Sequence, residues 1–199
     1  MAPGADSAGA AIVLVRHGRP ALSRRRLLSS RAYRAWWAEY ELSGLKADQV
    51  TPAELKQAAK NAGAILASSR PRSLETAHAV GEGKDFIADD LFIEAPLPPP
   101  GWPEWIRLPP MLWGFISRTA WWFFDHHHGE ESRRQAQARA ERAANRLIEL
   151  AGEGRDVLLL AHGFFNTMIA RELQRRGWRC TRDGGWRYWS ARRFEKRTP

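Results

Sequence analysis

One cysteine, Cys180, is all the chain offers for disulfide chemistry, so an internal bridge is excluded and a reducing compartment is expected. Long apolar runs are missing too. The most apolar stretch, LPPMLWGFISRTAWWFF at 108–124, is too short to span a bilayer comfortably and is broken by Gly114 and Arg118. The first ten residues, MAPGADSAGA, lack the basic start of a secretory signal, so a cytoplasmic location is expected, with residues 1–10 as a disordered tail. Acidic residues are the scarcer charge: 22 Asp and Glu stand against 31 Lys and Arg, for a net charge of +9. Such a balance suits nucleic acid, an anionic membrane surface or an anionic substrate. No helix-turn-helix, RNA-binding aromatic signature or zinc pattern accompanies it, and no nucleic-acid partner is expected.

What is present reads as one soluble domain over 11–199, with 44% apolar and 27% charged residues among 199. AIVLV at 11–15 is a continuous β-branched run, the pattern of a strand buried on both faces. DVLLLAHG at 156–163 repeats the design, and AILASSR at 64–70 is a third such run ending in polar residues. Helical patterns lie between and after them. TPAELKQAAKNAG at 51–63 has Thr51 as cap and Pro52 at its first position, and RSLETAHAV at 72–80 follows. Residues 130–154 form the longest helix, and 164–177 follow the second His-Gly pair directly. The alternation in GWRYWSARRFE at 185–195 suggests an edge strand.

Strands alternating with helices predict a three-layer α/β/α sandwich around a mostly parallel sheet. The Pro-rich segment at 95–110 cannot join a central sheet, and with the aromatic run behind it forms an insertion over about 95–128. Trp102, Trp105, Trp113, Trp121 and Trp122 gather there. A packed cap is the expected use of these rings; an apolar substrate pocket or a peripheral membrane contact is the functional alternative. The basic run at 23–31 and the tail RRFEKR read as solvated faces.

Ligands of open α/β sheets bind beyond the carboxyl ends of the strands. Arg16 with His17, Ser68 to Arg72, and His162 with Gly163 all sit at or just past such ends. Glycines after both histidines would let the backbone turn tightly. Two histidines and at least two arginines in one crevice call for an anion, and a phosphoryl group matches guanidinium forks. DHHHGEE at 125–131 invites a metal reading, but adjacent histidines point different ways and no tetrahedral set completes it, so no metal is expected.

These residues resemble the histidine phosphatase superfamily, the phosphoglycerate-mutase-like enzymes. LVRHG at 14–18 matches the family's naming motif, SSRPRSLETA at 68–77 resembles its second block, and LLLAHG at 158–163 resembles the block of the second histidine. GEES at 129–132 is similar to a start found before a long helix in these enzymes. The resemblance implies that His17 attacks phosphorus to give a phosphohistidine, while Arg16, Arg72, His162 and Gly163 hold the phosphoryl oxygens. It implies a carboxylate acid after the second block. Glu94 is the best positional match, with Asp89 and Asp90 as rivals. Arg19 and Pro20 stand where many members have another pattern, which argues against a glycolytic mutase. The expectation is a metal-independent phosphomonoesterase acting on a small phosphorylated substrate without cofactor. A phosphotransferase, mutase or protein phosphohistidine phosphatase is the alternative. Nothing in the sequence bears on oligomeric state.

Overall fold

A computed structural model describes residues 10–196, so the tail expected at 1–10 lies almost wholly outside the described residues. The chain runs β1 (Ala11–Arg16), α1 (Ser30–Leu42), α2 (Ala53–Asn61), β2 (Ala64–Ser68), α3 (Pro71–Gly81), β3 (Ile87–Asp89), α4 (Pro110–Phe124), α5 (Arg133–Gly152), β4 (Val157–Ala161), α6 (Gly163–Arg175), β5 (Trp178–Asp183) and β6 (Ala191–Lys196). The six strands lie in the order β3-β2-β4-β1-β6-β5. The first four are mutually parallel, while β6 runs antiparallel to both β1 and β5.

The continuous apolar runs are continuous because both faces of the central strands are covered. Ile12, Leu14, Leu66, Val157 and Leu159 pack under α5 and α6, with Ala140, Leu147, Phe165 and Ile169. Val13, Val15, Ile65, Ala67, Leu158 and Leu160 face the other way, onto Leu55 and Ala59 of α2 and Ala77 and Val80 of α3. Successive side chains alternate between the two layers, as the pleat requires. Helix α5 opens with a reciprocal capping box: Gln135 N–H donates to the Ser132 hydroxyl and Ser132 N–H to the Gln135 carbonyl. Helix α2 starts one residue later than the sequence suggests, with Pro52 at its cap.

Four elements depart from the sequence expectation. Helix α1 falls partly inside a segment read as a solvated basic face, yet it buries Tyr33, Trp36 and Tyr40 against Trp113 of α4. The short β3 had no alternation to reveal it. Strand β5 begins at Trp178, directly past the helical pattern that ends at 177, in a stretch with no pattern of its own. The alternation over 185–195 is only half strand. Gly185 and Trp189 take positive φ values of 77° and 63°, so 184–190 is a loop and β6 begins at Ala191. Nor is β6 an edge; it lies between β1 and β5.

Candidate active site

Strand register sets the site. Arg16 lies level with Ala161 on β4, and Ala67 level with Leu160, so three parallel strands end at one height. His17 N–H donates to Ala161 O at 2.9 Å, one step past the β1–β4 ladder. His17 and His162 thus leave neighbouring strands side by side. Their rings meet edge to face, with centroids 5.1 Å apart.

Both following glycines answer to close approach, since neither takes a positive φ. A Cβ on Gly18 would lie 2.3 Å from the Trp189 ring, which covers the turn. A Cβ on Gly163 would lie 3.2 Å from the Arg16 side chain. Gly163 therefore makes room for Arg16. The backbone freedom expected of these glycines is not what the fold uses.

The hydrogen bonds fix the tautomers. His17 Nδ1 lies 2.7 Å from Gly18 O, and a carbonyl can only accept, so Nδ1 carries the proton. The Nε2 lone pair then accepts from Arg72 Nε at 3.3 Å. Arg72 Nη2 donates to His162 Nδ1 at 3.3 Å, leaving His162 Nε2–H to donate to Ser68 Oγ at 2.8 Å. One guanidinium edge, Nε with Nη2, faces both rings.

The rest of Arg72 is anchored elsewhere. Its Nη1 donates to Tyr40 O at 3.0 Å and Glu41 O at 3.4 Å, at the carbonyl end of α1. Glu41 accepts from Nη2 at 2.8 Å and also pairs with Arg70 at 2.7 Å. Arg72 is fully buried, whereas Arg70 is half-buried and does not line the cavity.

A cavity of about 260 Å³ opens over the histidines. Arg16, His17, Arg72, Glu94 and His162 all line it, so five residues singled out in the sequence share one space. Arg24, Tyr33, Trp36, Tyr40 and Arg118 line it too, and none had a sequence signal beyond charge or aromaticity. Four arginines meet one carboxylate there. Arg16 packs over the Tyr188 ring at 4.4 Å and donates to Trp186 O. Arg118 lies over Phe164 at 4.4 Å. Its Nε and the Tyr33 hydroxyl find no partner among the described residues.

Glu94 sits against the start of α6. It accepts from Phe165 N–H at 2.8 Å and Phe164 N–H at 3.4 Å, occupying the positive end of the helix. Its rivals are placed elsewhere: Asp89 caps the 3₁₀ turn at Asp90–Phe92, and Asp90 bonds Ser69. Neither lines the cavity. The His126 and His128 rings stand 4.3 Å apart, and no metal-sized cluster of His, Cys, Asp and Glu occurs among the described residues.

Burial, then the Arg72 guanidinium, holds the His17 pKa well below the ordinary value, with Arg16 and Arg24 adding to the effect against the Gly18 bond. His162 is lowered well below it too, by burial first, then Arg72 and His17. Unfolded histidines titrate near pH 6.5, so below about that pH the unfolded chain binds more protons than the native one. Stability is whole above pH 6.5 and is lost as the pH falls toward the depressed native values. The expected slope is about 1.4 kcal/mol per pH unit for each histidine. Melting temperatures followed from about pH 7.5 to 5 should fall, and a His17→Asn, His162→Asn double variant should fall less steeply over that window. Parallel curves would show that the pair does not control acid stability.

The family model of the histidine phosphatase superfamily (branch 1) matches residues 12–193. The chain belongs to the histidine phosphatase superfamily. A comparison with curated proteins found no match. Among solved structures, mycobacterial glucosyl-3-phosphoglycerate phosphatase is 21% identical with a TM-score of 0.54, over 83% of this chain and 80% of that one. Its complex with VO3 aligns at 22% identity and a TM-score of 0.53, over 84% and 83%. The phosphoserine phosphatase of Entamoeba histolytica, solved with phosphoserine, is 15% identical, over 83% and 80%, with a TM-score of 0.53. At these identities the likeness is one of fold.

Proposed function

We propose that this superfamily member is a metal-independent phosphatase that hydrolyses a small phosphomonoester through a phosphohistidine on His17. The observation that carries the reading is the tautomer of His17. With Nδ1–H held by Gly18 O, the lone pair is on Nε2, at the cavity, where it accepts from Arg72 Nε until a phosphoryl oxygen takes that donor. A ring kept neutral by burial and cationic neighbours is a nucleophile at ordinary pH.

In the first step the Nε2 lone pair attacks phosphorus in line, and the P–O bond to the leaving group breaks. Arg72 and Arg16 hold the equatorial oxygens, His162 steers the Arg72 fork, and Gly163 at the start of α6 leaves room for Arg16. Glu94, the one carboxylate lining the cavity, gives its proton to the departing oxygen. Water then attacks the phosphohistidine, Glu94 takes a proton from that water, and the P–N electrons return to Nε2. Residues 95–128, carrying α4, serve as the cap over this chemistry. A compartment without disulfide chemistry, the cytoplasm, suits the lone thiol.

The test is hydrolysis of aryl and metabolite phosphates with a metal chelator present, with rapid quenching. Turnover should persist and an acid-labile, base-stable phosphoenzyme should be trapped. Loss of all activity on chelation would sink the proposal.

Glu94 has its own test. Glu94→Gln should slow alkyl phosphates by about 10²- to 10⁴-fold while sparing the burst with aryl phosphates, whose leaving oxygen needs little help. The amide keeps an oxygen for Phe165 N–H, so stability should drop by only about 1 kcal/mol. Equal small losses on both substrate types would assign Glu94 to capping α6 alone.

A further inference from the structure

Helix α4 is apolar on two opposite sides. Pro110, Trp113, Ser117 and Trp121 turn inward and are buried. At about 100° per residue, the far side carries Met111, Leu112, Phe115, Thr119 and Phe123, without a charge among them. A helix on a protein surface ordinarily keeps its charged residues there. Instead Met111 is 75%, Phe115 66% and Phe123 73% exposed, and Trp105 just upstream is 80% exposed. A contiguous apolar face of this kind marks an interaction site.

Its surroundings identify the partner. The Leu28–Leu108 bridge lays the segment before α1 beside the entry to α4. Residues 19–34 of that segment hold six arginines and no acidic residue. Arg25, Arg26 and Arg31 are exposed, as is Arg107, and the exposed Leu27 stands between them. Over 102–124 the lone carboxylate is Glu104, and it accepts a hydrogen bond from Ser29 at 2.6 Å. Exposed aromatics rimmed by arginine suit the boundary between lipid headgroups and acyl chains.

We propose that this face docks on an anionic phospholipid surface, with α4 lying in the plane of the interface. Fifteen residues of helix reach about 22 Å, short of the roughly 30 Å hydrocarbon layer, so the contact is peripheral. A second copy of the chain suits the face less well. Two-fold pairing would bring two arginine rims together on chains that each carry a net charge of +9. Met111 also lines the catalytic cavity, with Pro110 and Gly114, so docking would bring the cavity mouth to headgroup level. The proposal does not depend on the catalytic reading.

The test is co-sedimentation of the full chain with vesicles of phosphatidylcholine alone, and of phosphatidylcholine mixed with phosphatidylglycerol. Binding should require phosphatidylglycerol, weaken with added salt, and shift tryptophan emission to the blue. Phe115→Glu with Phe123→Glu should weaken binding by about tenfold or more, while circular dichroism and aryl phosphate turnover stay unchanged. Arg25→Glu with Arg26→Glu should remove most of the salt dependence. No binding to the anionic vesicles, or binding untouched by the Phe variant, would overturn the proposal. So would a concentration-dependent dimer that the Phe variant dissociates, which would assign the face to a second copy.

Discussion

His17→Ala is expected to lower phosphatase turnover by about 10⁴-fold or more, with no phosphoenzyme trapped. The fold should survive the change. His17 is held mainly through its backbone, by Ala161 O on one side and Trp189 N–H on the other, and Arg72 disfavours its ring only when that ring is protonated. Removing it leaves a cavity worth about 2 kcal/mol and relieves part of the acid sensitivity. The variant should therefore lie below wild type in stability at neutral pH, with the gap narrowing as the pH falls. His162→Ala separates the roles. His162 has its Nδ1 engaged by Arg72 and its Nε2–H by Ser68, so it is placed to orient the Arg72 fork. Its loss should slow phosphorylation, yet some phosphoenzyme should still form on His17. Substantial turnover in His17→Ala, or a trapped phosphate in that variant, would remove the covalent mechanism.

The two histidines were legible in the sequence because each ends a strand buried on both faces. A polar pair closing an uninterrupted apolar run is a local signal, and parallel neighbours place such ends together. The three-layer order was legible for the same reason, since Ile12, Val13, Leu14 and Val15 feed opposite layers in turn. Helix α1 was not. Its buried residues are Ser30, Tyr33, Trp36 and Tyr40, aromatic rings among arginines and glutamates, and the pattern shows no apolar face until Trp113 is placed against it.

That omission carried with it the carboxylate that pairs with Arg72. Glu41 lies at the end of α1, far in sequence from the second motif, and only the packing of α1 brings it between Arg70 and Arg72. The 184–190 loop misled for a different reason. Alternating Trp186, Arg187, Tyr188 and Trp189 mimics a strand, but left-handed Trp189 turns the chain so that its ring covers Gly18 and the neighbouring Tyr188 packs over Arg16. Alternation reports which side chains could share a face and is silent on a single inverted φ.

Arg72 is where the geometry makes the sharpest demand. Its five N–H groups serve two purposes: Nη1 and part of Nη2 are tied to the end of α1, and Nε with Nη2 presents a flat edge to both histidines. Lysine keeps the charge but cannot do both, because one ammonium lacks a planar fork. Arg72→Lys is expected to lose about 10²- to 10³-fold in kcat, the size seen when a preorganised charge-stabilising donor is removed. Tyr40 O and Glu41 O would also lose their donor in a buried place, at a cost of about 1–3 kcal/mol. Arg72→Met goes further, since it removes the cation from among the histidines and should raise the pKa of His17 and His162 together. Its acid-stability curve should accordingly shift, a change that simple loss of packing would not produce. Arg70→Lys is the control. Its pair with Glu41 is partly exposed, lies outside the cavity, and is worth about 0–1 kcal/mol. The measurement is kcat and thermal stability for all three variants on one aryl phosphate. A larger kcat loss in Arg70→Lys than in Arg72→Lys would move the phosphate clamp to Arg70 and leave Arg72 as the brace that ties α1 to the strand ends.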